Sequence, residues 1–201
     1  LEGVRIIDFC WVWDGPTCTT LLAFLGAEVI KIERPGVGDP TRRMPPHTMK
    51  DQSLYFMALN RNKKSLTLDL KAPEGKEIFY GLARKADVVV NNFTPGTMEK
   101  LGLGYEDLKK INPRIVWASV TGYGQTGPYA AKPGFGTLAE SMSGFAYLNT
   151  HPGQPPTSPP LPLADMTTGM HLALGVMVAM RPQKRGVEGG HEIDLSLYEP
   201  L

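Results

Sequence analysis

Short apolar runs alternate with amphipathic segments along most of the chain. Runs rich in Val and Ile predict strands at residues 4–9, 28–33, 65–70, 87–90, 115–120 and 192–197. Asp14-Gly15-Pro16 predicts the start of a helix that Gly26 ends, and Pro73 opens another whose apolar side chains share one face. Residues 105–111 predict a short third helix.

Strands alternating with helices predict an α/β fold, with a Rossmann-like, mostly parallel sheet and helices on both faces. Residues 35–50 predict a loop, and residues 151–164 hold six prolines and predict a stiff, irregular connection. From Asp165 to about Met180 apolar residues predict a buried helix, which Gly175 interrupts too early for a bilayer span. Residues 181–190 predict a turn.

Composition is that of an ordinary globular domain, with 42% hydrophobic and 20% charged residues. The net charge of +1 argues against a nucleic acid or an anionic membrane as the main partner. Cys10 and Cys18 are too few for a disulfide framework and indicate a reducing compartment. The first residues predict a strand rather than a signal peptide, so we expect a cytoplasmic protein.

Ligands in open α/β sheets bind at the carboxyl ends of the strands. The predicted strand ends carry amide, guanidinium and aromatic groups that suit a nucleotide-like ligand, at Cys10–Trp13, Glu33–Arg34, Asn91–Phe93 and Thr121–Tyr123. The same residues fit ordinary surface loops, and the pattern alone leaves both interpretations open. Phosphates would depend on basic side chains, each of which also fits a solvated surface charge: Arg34, Arg42, Arg43, Lys63, Lys64 and Lys71.

Several familiar motifs are absent from the sequence. Gly122–Gly127 matches G-x-G-x-x-G, but Pro128 follows it and no clear helix opens there, so it predicts a loop rather than a dinucleotide site. The four histidines lack the short spacings of a zinc site, which predicts no metal centre. No G-x-S-x-G elbow occurs either.

Asp165 follows the proline-rich segment at the predicted start of an apolar helix. Free backbone N–H groups and the helix dipole stabilise a carboxylate at such a position, so a simple N-cap is one interpretation. A carboxylate in a dry pocket is also a nucleophile toward a thioester, which is the other. Glu140 is a candidate second carboxylate and fits a surface position equally well.

Seven motifs in the same order resemble the class III coenzyme A transferases, whose members include formyl-CoA, carnitine and benzylsuccinate transferases and whose close relatives are 2-methylacyl-CoA racemases. The motifs cover essentially the whole chain. They are Val4–Phe9 with Gly15-Pro16, Leu25–Gly36, Asn60–Leu70, Asn92–Gly96, Leu101–Tyr105 with Asn112–Arg114, Asp165–His171 and Ile193–Glu199.

The resemblance implies that Asp165 attacks the thioester of an acyl-CoA donor and passes through an aspartyl anhydride and an aspartyl-CoA thioester. No tightly bound cofactor or metal is implied, because coenzyme A and acyl-CoA are substrates. Trp13 and Phe135 match the acyl pocket, although Trp11–Trp13 fit a core equally well. The positions that match coenzyme A contacts are Val12, Arg34, Leu70, Lys71, Asn92, Phe93, Lys100 and Lys132.

The chain also departs from its relatives. Gly134-Phe135-Gly136 replaces the G-H-D triplet of the racemases, and loss of that imidazole favours a transferase over a racemase. A non-catalytic coenzyme A-binding subunit is the remaining alternative. The resemblance implies that residues 1–201 form the large domain, incomplete and without the second domain, in an interlocked homo- or hetero-dimer with the remaining half. The sequence does not identify the acyl donor or acceptor; succinyl-CoA as donor and a bulky carboxylic acid as acceptor is a hypothesis that rests on the tryptophans alone.

Overall fold

The computed structural model describes residues 1–48, 50–184 and 189–201. Its strands are β1 (Arg5–Asp8), β2 (Glu28–Glu33), β3 (Lys63–Thr67), β4 (Val88–Asn91), β5 (Val116–Thr121) and β6 (His191–Ser196). They form one sheet in the order β3-β2-β1-β4-β5-β6, and every neighbouring pair is parallel. The strand order reverses between β1 and β4, which creates a crevice at their carboxyl ends.

Helices cover both faces of this sheet. They are α1 (Asp14–Phe24), α2 (Leu54–Leu59), α3 (Pro73–Ala83), α4 (Thr97–Lys100), α5 (Tyr105–Ile111), α6 (Gly136–Met142), α7 (Phe145–Leu148) and α8 (Leu163–Lys184). Successive strand residues point to opposite faces, so Ile6 packs in the core with α1 and α8 while Ile7 packs in the core with α3 and α5. The predicted α/β fold is confirmed.

Helix α8 differs from the prediction in two ways. It begins at Leu163, and only one of its faces is buried, since Met166, Met170, Leu174 and Val178 form an exposed stripe at intervals of four residues. By length and composition Leu163–Arg181 is apolar enough to cross a membrane, with a mean hydropathy of 1.3. Its buried face packs against α1, β5 and β6, however, as a core helix of a globular domain does.

The pattern of apolar and polar residues did not predict the strand bounds correctly where polar residues lie in the sheet. Strand β3 begins at Lys63, two residues earlier than predicted, because the buried ammonium pairs with Asp8 and no apolar pattern announces it. A short 3₁₀ helix, Pro40–Arg43, lies in the predicted loop over residues 35–50, of which residue 49 lies outside the described part. The predicted turn over 181–190 overlaps the end of α8, and residues 185–188 are likewise not described.

Candidate active site

Buried charged side chains form hydrogen bonds with the backbone of the loop after β1, residues 10–13. The Asp8 carboxylate accepts hydrogen bonds from the backbone N–H of Cys10 (2.8 Å) and from Lys63 Nζ (3.0 Å). Lys31 Nζ donates to the Cys10 carbonyl oxygen at 2.5 Å. Burial disfavours ionisation of Asp8, but the charges of Lys63 and Lys31, together with hydrogen bonds from Thr19 and Cys10, hold its pKa below the usual range. Hydrogen bonds with these buried, paired side chains therefore fix the start of the loop.

Asn92, directly after β4, is hydrogen-bonded to this loop across the crevice. Its Nδ2 donates to the Trp11 carbonyl (2.7 Å) and to Asp14 Oδ1 (2.6 Å), and its Oδ1 accepts from the Trp11 N–H (3.0 Å). Between them Val12 has a φ of 67°, a left-handed conformation that is unfavourable for a β-branched residue. Strain of this kind persists where surrounding contacts impose it, as these hydrogen bonds do.

A cavity of about 650 Å³ opens above this loop, between α2, α6 and the start of α8. Its wall is largely aromatic and apolar, formed by Trp11, Val12, Trp13, Tyr55, Phe93 and Phe135. Three carboxylates share the same wall, from Asp14, Glu140 and Asp165. The cavity has the size, apolar lining and few polar groups that characterise small-molecule sites.

Asp165 lies half-buried in this wall, in the first turn of α8. Because the helix begins at Leu163, Asp165 is its third residue, and the N-cap interpretation is wrong. A Cβ built on Gly136 would lie 2.2 Å from Asp165 Oδ2, so only glycine leaves room for the carboxylate in this position. Glycine in place of the last residue of the G-H-D triplet is therefore explained by the packing of residue 136 against Asp165.

The carboxylates perturb one another. Burial raises the pKa of Asp165 to about 6; its own backbone N–H opposes the rise and Glu140 adds to it. Glu140 is only 1% exposed and accepts one hydrogen bond, from the Ala164 N–H at 3.2 Å, while its Oε2 has no partner among the described residues. Burial followed by the charge of Asp165 raises the pKa of Asp14 to about 7. At neutral pH Asp165 is therefore mostly ionised, yet more basic than a free aspartate.

A second cavity, of about 430 Å³, adjoins the first. Trp11 and Phe93 line both cavities and pack edge to face, with ring centroids 5.2 Å apart. The Arg34 guanidinium stacks over the Trp11 ring at 4.6 Å, and Lys71 lines the far side. Glu33 and Asp69 also line this cavity, and the Glu33 carboxylate is already paired with Arg42. Apolar surface beside Arg34 and Lys71 suits an extended ligand with a flat ring and phosphates.

Most of the predicted site residues meet in these two cavities. Val12, Trp13, Asn92, Phe93, Phe135 and Asp165 line the first. Arg34, Leu70, Lys71 and Phe93 line the second. Lys132 lines a third, smaller cavity of about 80 Å³ beside Asn92, with its Nζ 3.7 Å from the Tyr129 ring centroid. Lys100, at the exposed end of α4, lines none of these three cavities.

Sequence reasoning missed Asp14 and Tyr55. Asp14 fits a helix cap in the pattern, but the N-cap residue of α1 is Trp13, and Asp14 is the first helical residue and lines the cavity. Tyr55 lies on α2, an element that the pattern did not predict, and its ring packs edge to face on Trp13 with centroids 4.7 Å apart. The aromatic side chains of Trp11 and Trp13 therefore line a cavity rather than a core. An acidic residue directly after a strand-end loop was the available signal for Asp14.

The chain is similar in sequence to characterised CoA-transferases. The chain is 45% identical over its whole length to the beta subunit of succinyl-CoA–L-malate CoA-transferase from Chloroflexus aurantiacus and covers 50% of that protein. It is 44% identical to acetyl-CoA:oxalate CoA-transferase from Acetobacter aceti, over 98% of the chain and 51% of the relative. The chain thus spans about half the length of these curated relatives.

The fold of the chain is also similar to that of solved structures. A CAIB/BAIF family protein from Brucella suis superimposes with a TM-score of 0.91 and 36% identity, over 99% of this chain and 53% of that one. The family model described as CoA-transferase family III matches residues 1–201. Because that match covers the whole chain, the chain belongs to CoA-transferase family III.

Proposed function

We propose that the complete protein transfers coenzyme A from an acyl-CoA donor to a carboxylic acid, with Asp165 as the side chain that carries the acyl group. The observation that carries this proposal is the position of Asp165. Its partly desolvated carboxylate, ionised for the most part at neutral pH, lines a 650 Å³ cavity that shares Trp11 and Phe93 with a second cavity, in which Arg34 and Lys71 lie. A carboxylate placed this way is a competent nucleophile toward a bound thioester.

Each proposed step exchanges one anion for another. An Asp165 oxygen attacks the thioester carbonyl, the carbon–sulfur bond breaks, and coenzyme A leaves as a thiolate beside a mixed anhydride. The thiolate then attacks the aspartyl carbonyl, releasing the donor carboxylate and leaving an aspartyl-CoA thioester. The acceptor carboxylate and the thiolate repeat the two steps in reverse order. Since no electron and no net proton is consumed, these steps need only the carboxylate, the thiol and the acids.

The second cavity is where we place the nucleotide end of coenzyme A. Arg34 and Lys71 supply positive charge for phosphates, and Arg34 is already oriented by its stacking on Trp11. Phe93 and Leu70 offer apolar contact beside them. The thiol-bearing arm would then pass Trp11 and Phe93 to reach Asp165. Lys132 has a weaker case, and Lys100 has none from these cavities.

The complete protein is also proposed to be a cytoplasmic interlocked dimer in which the remaining half of the protein joins this domain. The exposed stripe on α8, formed by Met166, Met170, Leu174 and Val178, supports an additional packing surface on this face. Size-exclusion chromatography with light scattering on the complete protein tests the dimer. A monomer at micromolar concentration would contradict it.

Replacement of Asp165 tests the proposed role. Asp165→Ala in the complete protein is expected to reduce transfer by at least about 10³-fold, since nucleophile removal in covalent catalysis has effects of that order or larger. Coenzyme A affinity, measured by calorimetry, should stay within about threefold. That limit is a change in binding free energy of less than about 1 kcal/mol, since about 1 kcal/mol corresponds to a factor of about five. Glu106→Gln, an exposed carboxylate on α5, is the matched control and should leave both values unchanged. Equal loss of binding and transfer would assign Asp165 a structural role.

A racemase is separated by a different readout. Proton exchange at the α-carbon needs two bases, and at residue 135 this chain places a phenylalanine in the cavity wall. Transfer without α-proton exchange in deuterated water supports the transferase. Exchange without transfer would support the racemase, and neither activity would leave a coenzyme A-binding subunit.

A further inference from the structure

Three carboxylates surround the space into which the acyl group of a bound thioester would extend. Asp14, Glu140 and Asp165 all line the larger cavity, and every other described residue in its wall is neutral. Only one of the three is needed as a nucleophile in the proposed function. The other two carboxyl groups line the same space and have no role in the proposed steps.

Asp14 is the best placed of the other two to face a substrate. It is 7% exposed, and its Oδ1 accepts hydrogen bonds from the Gly15 N–H (2.5 Å) and from Asn92 Nδ2 (2.6 Å). These two bonds fix the side chain at the start of α1, so it cannot swing into bulk solvent. Glu140 is bonded to the backbone of Ala164 and lies deeper, at 1% exposure.

We infer that Asp14 makes this cavity select monocarboxylic acids with uncharged, bulky or aromatic acyl groups and exclude dicarboxylic acids. The inference rests on the proposed function and specifies its substrate class. A second carboxylate on the acyl group would lie among like charges, which is costly in a partly desolvated cavity. An apolar acyl group would instead pack on Trp13, Tyr55 and Phe135.

This selection changes the donor hypothesised from the sequence. Succinyl-CoA would bring a free carboxylate to the wall that contains Asp14 and Glu140, so an uncharged acyl-CoA fits the cavity better. Phe135 also favours an uncharged acyl group, because it lines the cavity, is 70% exposed and offers apolar surface to a substrate. Trp13 and Tyr55, which pack edge to face, add further apolar surface to the same cavity wall.

The charge of Asp14 depends on the state of Asp165. While Asp165 is ionised, it favours the protonated form of Asp14, whose pKa is about 7. When Asp165 is esterified with coenzyme A it is neutral, so Asp14 ionises more readily as the acceptor acid arrives. The titratable and polar groups that interact with Asp14 are Asp165 on α8, Asp8 on β1, Tyr55 on α2, Cys10 and Cys18 on either side of it, and Asn92 after β4.

Acceptor competition tests the selection in the complete protein. Acetyl-CoA serves as a constant, uncharged donor, and pentanoate and glutarate serve as acceptors with the same number of carbons. The ratio of kcat/KM for pentanoate over glutarate should exceed about tenfold at pH 8. Asp14→Asn keeps an acceptor oxygen for Gly15 and Asn92 but removes the charge, and it should lower this ratio about tenfold.

The pH dependence of the ratio gives a second readout that needs no variant. In the unmodified protein the ratio should fall as pH decreases from 8 to 6, because Asp14 gains a proton, and in Asp14→Asn it should stay flat. Equal use of glutarate and pentanoate, or a ratio that Asp14→Asn does not change, would overturn this inference while leaving the transferase intact. Absence of transfer to any acid would instead overturn the proposed function.

Discussion

Gly136→Ala displaces the proposed nucleophile, Asp165, without changing its carboxyl group. The added Cβ would lie 2.2 Å from Asp165 Oδ2 and 3.3 Å from Cγ, whereas the next contact, with the Ala164 Cβ, is an ordinary 3.6 Å. Residue 136 begins α6 and its φ is not in the left-handed region, so alanine suits the backbone there. The whole effect of the change therefore falls on the carboxylate of Asp165.

The carboxylate must move by roughly 1 Å to restore an ordinary contact, since non-bonded heavy atoms pack at about 3.5 Å. A displacement of that size at a reacting group lowers the rate by up to about 10²-fold. We therefore expect kcat to fall between about tenfold and about 10²-fold. Because the cavity that we assign to the nucleotide lies on the other side of Trp11, the KM for acyl-CoA should change by less than about threefold.

Steady-state transfer kinetics and a thermal melt measure these effects on the complete protein. Gly81→Ala on α3 is the matched control, because a Cβ there meets nothing within 4 Å. It should leave kcat unchanged and raise the melting temperature slightly, as glycine is a poorer helix former than alanine. A Gly136→Ala enzyme with kcat within twofold of the parent would refute the assigned position of the Asp165 carboxylate.

Two further predictions follow from the pKa values of the carboxylates. The single-turnover rate of acylation should rise with pH and level off above an apparent pKa near 6, because only ionised Asp165 is nucleophilic; a flat profile from pH 5 to 8 would contradict this. Asp165→Asn should stabilise the folded state by about 3 kcal/mol at pH 8, because the pKa of Asp165 is raised from about 4 to about 6 and each tenfold change in an ionisation equilibrium is worth about 1.4 kcal/mol; that stability is lost as pH rises from about 4 through 6. Urea denaturation measures that gain, which should disappear near pH 4, and a gain of equal size at both pH values would point to packing instead of charge.

The fold could be predicted because its signals are local. Buried parallel strands are typically rich in apolar residues: β4 is a continuous run of Val, and β2 and β5 have Val, Ile, Trp and Ala at half or more of their positions, with a helix signal nearby. Strand β3 was misplaced because Lys63 is polar and becomes a buried strand residue only through its pairing with Asp8. That pairing joins residues far apart in sequence and leaves no trace in the local pattern.

The candidate site was predictable only in part, for the same reason. The motif residues at strand ends, such as Asn92 and Phe93, lie where parallel topology places them. Asp14 and Glu140 became part of the site through the packing of α1 and α6 against the start of α8, which no sequence period encodes. Gly136 is similar, because its lack of a side chain has meaning only beside Asp165.

Chemical trapping of the acyl intermediate tests the account most directly. The complete protein is incubated with an uncharged acyl-CoA, treated with hydroxylamine or borohydride, digested and analysed by mass spectrometry. The account predicts modification of Asp165 in the peptide that spans the start of α8, with Asp14 and Glu140 unmodified and no modification when acyl-CoA is omitted. Transfer that proceeds with Asp165 unmodified, or modification of Asp14 or Glu140 in its place, would contradict it.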